Sequence, residues 1–175
     1  KITLLDIWIS KLINLGIKKI LINTHYKHKL VSSFIKKHKY KKFLEISHED
    51  KLLGTAGTLI KNINFSNKED LMLIHADNFT KDNLKNFVRA HEQRPKRTEF
   101  TMMLFKTSRP KECGVVQIGK DKVVKKFFEK SRSDIFNANA AIYILSKKFL
   151  KKIEKKKFKD FSMEIIPKYE KKLYT

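Results

Sequence analysis

Leu53-Gly54-Thr55-Ala56-Gly57-Thr58 is the stretch on which the fold reading turns. Two glycines bracket Thr-Ala immediately before an apolar helical pattern. Downstream comes Leu71-Met72-Leu73-Ile74-His75-Ala76-Asp77-Asn78, an apolar run that ends on a carboxylate. A turn of small residues lets backbone N–H groups approach a flat base or a phosphate closely. An Asp at the carboxyl end of a buried strand can hold a hard cation beside such a turn. Together they point to metal-dependent chemistry on a nucleotide.

Working outward, Thr3-x-x-Asp6 has the spacing of a capping box, and Leu5, Trp8, Ile9, Leu12 and Ile13 follow at helical intervals. Gly16 stands where a helix-ending glycine belongs. Ile20-Leu21-Ile22 suits a buried strand, Leu30 to Ile35 a second helix, and Phe43 to Ile46 a short strand. The Gly54–Gly57 stretch reads as a loop leading into a helix that starts near Thr55. Thr80 is the expected cap of a helix through Leu84, Phe87, Val88 and His91. Beyond it the pattern changes. Phe100 to Phe105, Gly114 to Ile118, Lys122 to Phe128 and Ala138 to Leu145 all read as strands. Ser146 caps a helix through Ile153, a last helix holds Met163, Ile165 and Ile166, and Lys172 to Thr175 begins a strand. Helix and strand alternate in the first half. The expected class is therefore α/β, a Rossmann-like, mixed but mostly parallel sheet flanked by helices, with residues 1–175 as one domain.

Composition narrows the function classes. Hydrophobic residues make up 41% of the 175, enough for a real core, and Phe alone accounts for 13. No stretch reaches the roughly 18–20 apolar residues of a membrane span, and no secretory signal pattern appears. The single Cys113 rules out an internal disulfide and suits a reducing, cytoplasmic compartment. The net charge of +22 suggests a nucleic-acid or anionic-surface binder. Only Arg89, Arg94, Arg97, Arg109 and Arg132 are arginines, however; the remaining basic residues are lysines scattered along the chain. Base edges and phosphates favour the bidentate arginine fork, so the charge reads as a solvated lysine surface and no specific nucleic-acid partner is expected.

Several further residues carry a functional reading beside a plain one. Asp77 is a Mg²⁺ ligand supported by Asn78, or else a turn residue. Glu129-Lys130 closes a strand and can hold sugar hydroxyls and a phosphate, or be a surface pair. Gly114 admits a sugar ring or marks a bend. Asn139, between small residues, bonds sugar hydroxyls or sits in a turn. His25 and His28 lack a partner ligand for zinc, and Cys113 lacks a base that would activate it.

In this order the motifs resemble those of the sugar-1-phosphate nucleotidyltransferases, nearest to the mannose-1-phosphate guanylyltransferase-like branch. Leu53-Gly54-Thr55-Ala56-Gly57 is similar to the family's nucleotide-binding loop, and His75-Ala76-Asp77-Asn78 to its metal motif. Cys113-Gly114-Val115-Val116, Phe128-Glu129-Lys130 and Asn139-Ala140-Ala141-Ile142-Tyr143 resemble its sugar-facing segments. Asp160-Phe161-Ser162-Met163-Glu164-Ile165-Ile166-Pro167 resembles a late helix of that branch.

The resemblance implies an NTP, with GTP favoured, and a sugar 1-phosphate as substrates, a GDP-mannose or GDP-heptose type of product, and Mg²⁺ as cofactor. It assigns the base to Gly54, Thr55, Ala56 and Gly57 with Glu49 beside them, the metal to Asp77, and the sugar phosphate to Gly114, Glu129, Lys130 and Asn139. Asp77 and Lys130 would be catalytic. It also implies departures. The family's N-terminal glycine-rich signature and a second metal-binding Asp are not among these residues, and Lys1 enters a helix almost at once. The chain alone is then expected to be weakly active or inactive, with a sheet edge uncovered. Ala140 stands where the nearest branch often has Gly. A homo-oligomer is left open. Two rival readings stand beside this one: an inactive regulatory homologue of the same fold, and a basic nucleic-acid-binding module.

Overall fold

A computed structural model describes residues 2–130 and 134–175; Lys1 and Arg132, both named above, lie outside the described residues. Helix α1 (Leu4–Asn14) opens on the expected capping box, Thr3 accepting from the Asp6 N–H and Asp6 accepting from that of Thr3. It closes on a Schellman pair, Gly16 N–H to the Ile13 carbonyl and Ile17 N–H to that of Leu12. Strand β1 (Ile20–Thr24), helix α2 (His28–Lys37) and strand β2 (Leu44–His48) follow, β1 and β2 pairing in parallel. Helix α3 spans Gly54–Lys61, strand β3 Leu71–Ile74 and helix α4 Leu84–Glu92.

The cap of α4 differs from expectation. Asn83, not Thr80, accepts from the Lys85 N–H, while the Thr80 hydroxyl closes a local turn with Asp82. Asn is a strong cap and sits one residue before the helix, so the nearer acceptor wins.

The remaining strands are β4 (Phe100–Lys106), β5 (Gly114–Ile118), β6 (Val124–Glu129), β7 (Asn137–Leu145) and β8 (Leu173–Tyr174). Helix α5 (Lys147–Ile153) is capped by Ser146, as expected. A single π-helical turn, Phe161–Ile165, runs into the short α6 (Ile166–Lys168). Pro167 lacks an N–H, so the regular ladder cannot pass through it.

The architecture is α/β with helices on both faces of the sheet. Phe100, Met102, Tyr143 and Leu145 point to one face, where α3, α5 and the π turn cover them. Met103, Ile142 and Ile144 alternate to the other face and meet Trp8, Ile9 and Leu12 of α1 with Leu84 and Phe87 of α4. Ile20 and Leu44 belong to that second cluster, which joins the β1–β2 pair to the larger sheet.

The sheet is mixed, as expected, but its weight is not on the parallel side. Besides β1–β2, only β4–β8 pair in parallel among the described strands, whereas β3–β7, β4–β7, β5–β6 and β5–β7 are antiparallel. The connections explain this: β5 reaches β6 through a tight turn at Gly119–Lys122, too short for a crossover.

Strand β7 organises the larger sheet. One edge pairs with β4 along its length; the other pairs first with β5 at Ala138 and then with β3 from Ile142 onward. Between the two, Ala141 has φ +51°. The sheet therefore forks at residues 139–141, and the carboxyl end of β3 opens into the fork.

Candidate active site

The fork collects Asp77, Asn139 and the Gly114–Glu129 pair, whereas Glu49 and Gly54–Gly57 gather at the start of α3. The Asp77 turn leaves β3 with the His75 N–H on the Ala141 carbonyl and the Asn78 N–H on that of His75. The Asn78 amide donates to the Ala140 carbonyl at 2.9 Å, and the Trp8 indole N–H donates to the Asn78 carbonyl at 2.8 Å. Asn78 is thus clamped between α1 and β7, which leaves its neighbour Asp77 exposed at the mouth of the fork.

Across the fork, Asn139 orders the kink itself. Its side-chain oxygen accepts the Ala141 N–H at 2.8 Å and its amide donates to the Tyr143 hydroxyl at 2.7 Å. Burial pushes the Tyr143 phenol up to about 12, so it stays protonated.

Gly114 pairs with Glu129 across β5 and β6. A Cβ on Gly114 would lie 2.7 Å from the Phe127 ring and 2.9 Å from the Glu129 carboxylate. The space a side chain would take is filled by those two groups, so the glycine serves Glu129 before any sugar ring. Burial raises the Glu129 carboxyl above its usual range; the Lys130 ammonium opposes the rise and Asp160 adds to it. Lys130 itself is exposed at φ +45°, its N–H on the Cys113 carbonyl.

The Gly54–Gly57 stretch differs from the expected loop. It is the first turn of α3, and its donors are largely spoken for. The Leu53 N–H donates to Glu49 at 3.2 Å, and the Ala56 and Gly57 N–H groups share the Lys159 carbonyl at 3.0 and 3.4 Å. Four N–H groups open any α-helix without intrahelical partners. Of these, Gly54 and Thr55 have no partner among the described residues. The turn therefore offers two donors, enough for the acceptor edge of a base and few for a phosphate. Gly54 is required for a reason internal to the chain: it has φ +78°, and a Cβ there would sit 2.3 Å from the Lys159 oxygen.

Glu49 is placed beneath this turn, only 2% exposed. Besides the Leu53 N–H, its carboxylate accepts the Thr58 hydroxyl at 2.7 Å. It supports the turn from below, where the sequence suggested a neighbour of the base. Residues 159–162 meet the turn from the other side, with the Phe161 N–H on the Thr55 hydroxyl at 2.8 Å and the Phe161 ring 4.6 Å from that of Tyr143.

Thr58, Tyr143 and Lys159 were not singled out as site residues. The Asp160-x-x-Met163 spacing is a helix-start signal that marks where the π turn beside them begins, since Asp160 accepts the Met163 N–H. Nothing local marks Lys159, which acts through its carbonyl.

No group of three His, Cys, Asp or Glu side chains placed to hold a metal ion occurs among the described residues. The exposed Asp77 nonetheless suits Mg²⁺ in its usual enzymic mode, held by one or two carboxylates together with substrate phosphates and water. None of the described helices is long and apolar enough to cross a membrane.

A family model described as "Nucleotidyl transferase" matches residues 1–175. The chain is 29% identical over 153 residues to a mannose-1-phosphate guanylyltransferase catalytic subunit beta of Drosophila pseudoobscura pseudoobscura, covering 85% of this chain and 41% of the relative. It thus spans about two fifths of the length of that relative. Among solved structures, HddC from Yersinia pseudotuberculosis superposes with a TM-score of 0.78 at 21% identity, covering 95% of this chain and 72% of that one. The same protein complexed with GMP-PN gives a TM-score of 0.75 at 22% identity, over 92% and 70% of the two chains. At these identities the structural likeness concerns the fold.

Proposed function

The chain belongs to the nucleotidyl transferase family, and from that premise we propose that it carries the base and sugar sides of a sugar-1-phosphate nucleotidyltransferase. The reaction joins an NTP, GTP by preference, to a hexose or heptose 1-phosphate with release of pyrophosphate. The observation that carries the reading is the fork: Asp77 stands exposed at its mouth, with Asn139 and the Glu129–Gly114 pair on its far side. The mannose-1-phosphate guanylyltransferase relative supports guanine and mannose as the first pair to try.

In the proposed reaction a phosphate oxygen of the sugar 1-phosphate attacks the α-phosphorus of the NTP. The new P–O bond forms as the bond to the bridging oxygen breaks, and pyrophosphate leaves with the electron pair. Such chemistry needs alignment and charge neutralisation more than covalent help. Gly54 and Thr55 present their N–H groups to the base. Glu129 accepts sugar hydroxyls and fixes the ring, and Lys130 draws the sugar phosphate toward the mouth of the fork. Asp77 would hold Mg²⁺, which would supply charge neutralisation at the phosphate oxygens.

The test uses the full-length protein. Pyrophosphate release is followed for the common NTPs against a set of sugar 1-phosphates, and GTP with mannose or heptose 1-phosphate is expected to lead. Asp77→Asn is expected to cut turnover at least about a hundredfold, while the melting temperature holds because the side chain is exposed. Wild-type turnover by that variant would remove Asp77 from the mechanism. Absence of turnover with every pair would remove the enzyme reading.

A further inference from the structure

We propose that Trp8 is a positioning residue for the metal-binding carboxylate: its indole N–H, bonded to the Asn78 carbonyl, fixes the turn that presents Asp77 and so sets how strongly a divalent cation ties the nucleotide to the chain. The inference rests on the function proposed above.

Residues 75–83, between β3 and α4, contain no helix or strand. Asp77 is exposed in a turn there, so its placement comes from its neighbours. On the β7 side the His75 N–H donates to the Ala141 carbonyl, and the Asn78 amide to that of Ala140. The Asn78 N–H closes the turn around Asp77 by donating to the His75 carbonyl. The Asn78 carbonyl is taken by α1, where the Trp8 indole N–H meets it at 2.8 Å. No other group among the described residues donates to that carbonyl.

Trp8 could fill its place without this bond. It is 3% exposed and belongs to the cluster that holds Ile9 and Leu12 of α1 with Ile142 and Ile144 of β7. A phenylalanine would serve such packing. Only the indole brings a buried N–H that must find an acceptor, and the acceptor lies 70 positions along the chain. Lys11, one turn further along α1, reaches the Asp82 carbonyl of the same loop at 3.5 Å. Helix α1 is itself secured at both ends, by its capping box and by the Gly16 and Ile17 N–H groups, so it is a fixed anchor for the turn.

One consequence separates positioning from packing. A carboxylate that holds Mg²⁺ together with substrate phosphates strengthens nucleotide binding only if it lies where the phosphates are. Loosening the turn therefore lowers the metal-dependent part of the nucleotide affinity and leaves the metal-free part alone.

The test uses the full-length protein and a non-hydrolysable GTP analogue, titrated by calorimetry in Mg²⁺ and again in EDTA. The readout is the ratio of the two affinities, and melting temperature is recorded for every variant. Trp8→Phe is expected to lower the ratio about fivefold, the net worth of one hydrogen bond, with the affinity in EDTA unchanged. Benzothienylalanine at position 8, which keeps the bicyclic shape and lacks the N–H, should give the same loss without disturbing the packing. Ile9→Val, in the same cluster but with no bond to the turn, is expected to lower the melting temperature and leave the ratio at the wild-type value. Asp77→Asn should bring the ratio close to one. If both replacements of Trp8 keep the wild-type ratio while Asp77→Asn loses it, the positioning role is overturned and the function stands. If Ile9→Val lowers the ratio as far as the Trp8 replacements do, the effect is one of stability and the role is likewise overturned. If Asp77→Asn keeps the ratio, or the wild type binds no analogue, the site reading and the positioning role fall together.

Discussion

Ala141 holds the kink that opens the fork, and it does so in a conformation that L-residues resist. Its φ of +51° lies in the left-handed region, where a Cβ costs roughly 1–2 kcal/mol. The Asn139 side chain and the His75 N–H hold it there. Ala141→Gly is therefore expected to stabilise the protein by up to about 1 kcal/mol, after allowing for the entropy of glycine. Ala140→Gly should lose stability, since Ala140 has no positive φ to relieve. Urea unfolding of the two variants separates the positions. The motif comparison drew attention to residue 140; the backbone shows that the strain is at its neighbour, and φ is not written in side-chain identity.

Gly54 is the opposite case at the same scale. Its φ of +78° and the 2.3 Å approach of the Lys159 oxygen act together. Gly54→Ala is expected to cost about 2–4 kcal/mol from left-handed strain plus forced separation of the docked segment. A midpoint unchanged in urea would show that the turn can move off Lys159 freely. The sequence made this glycine conspicuous, but it could not show that the partner is a backbone carbonyl more than a hundred positions away. For Glu49 the same holds: a carboxylate five positions before the turn is visible, and its burial under Thr58 is not.

Among the elements, α4, β4 and α5 are fastened at one buried point away from the fork. His91, on α4, is 3% exposed, with Thr101 2.7 Å from Nδ1 and Asp70 3.1 Å from Nε2. The carboxylate needs a donor, so Nε2 carries the proton and the Thr101 hydroxyl donates to Nδ1. Asp70 also accepts the Lys147 N–H at the start of α5. Burial lowers the His91 pKa, with Arg94 adding to the fall and Asp70 opposing it. A base whose folded pKa lies below its unfolded value of about 6.5 leaves the unfolded chain binding more protons as pH drops. Its contribution to stability is present above about pH 6.5 and lost as pH falls toward the folded value. A series of melts from neutral to mildly acid pH should show a steeper decline for the wild type than for His91→Gln, which cannot titrate. Parallel curves would mean that His91 takes up its proton without loosening the helices.

Elements were the most legible scale. Capping boxes, apolar periodicity and alternating strands are local signals, and the bounds of β5 coincide with the stretch expected. What was hidden depends on contacts between distant segments. Antiparallel weight follows from which strands meet β7, and the π turn follows from Pro167 set against docking on α3. Candidate site residues were legible as motifs, while the contacts between them were not.

At the scale of the whole molecule, charge is the dominant surface property. With 40 Lys and Arg against 18 Asp and Glu, even complete pairing would leave 22 positive charges unmatched. The ion pairs between exposed partners are few among the described residues, for example Lys19–Glu45 and Arg109–Glu112, and such pairs are each worth little. Salt acts on both terms with opposite sign. It weakens the few attractions and relieves the many repulsions, and the imbalance in the sequence decides which wins. Raising sodium chloride from about 0.05 to 0.5 M shortens the screening length roughly threefold. The melting temperature is therefore expected to rise by a few degrees, on the order of 1 kcal/mol of relieved repulsion. The same titration bears on the charge-based alternative. A lysine-coated surface should release any nucleic acid with a steep salt slope and no preference among sequences. A complex that persists at 0.5 M salt (about a 4 Å screening length) and discriminates between sequences would show that the basic surface is a recognition surface after all.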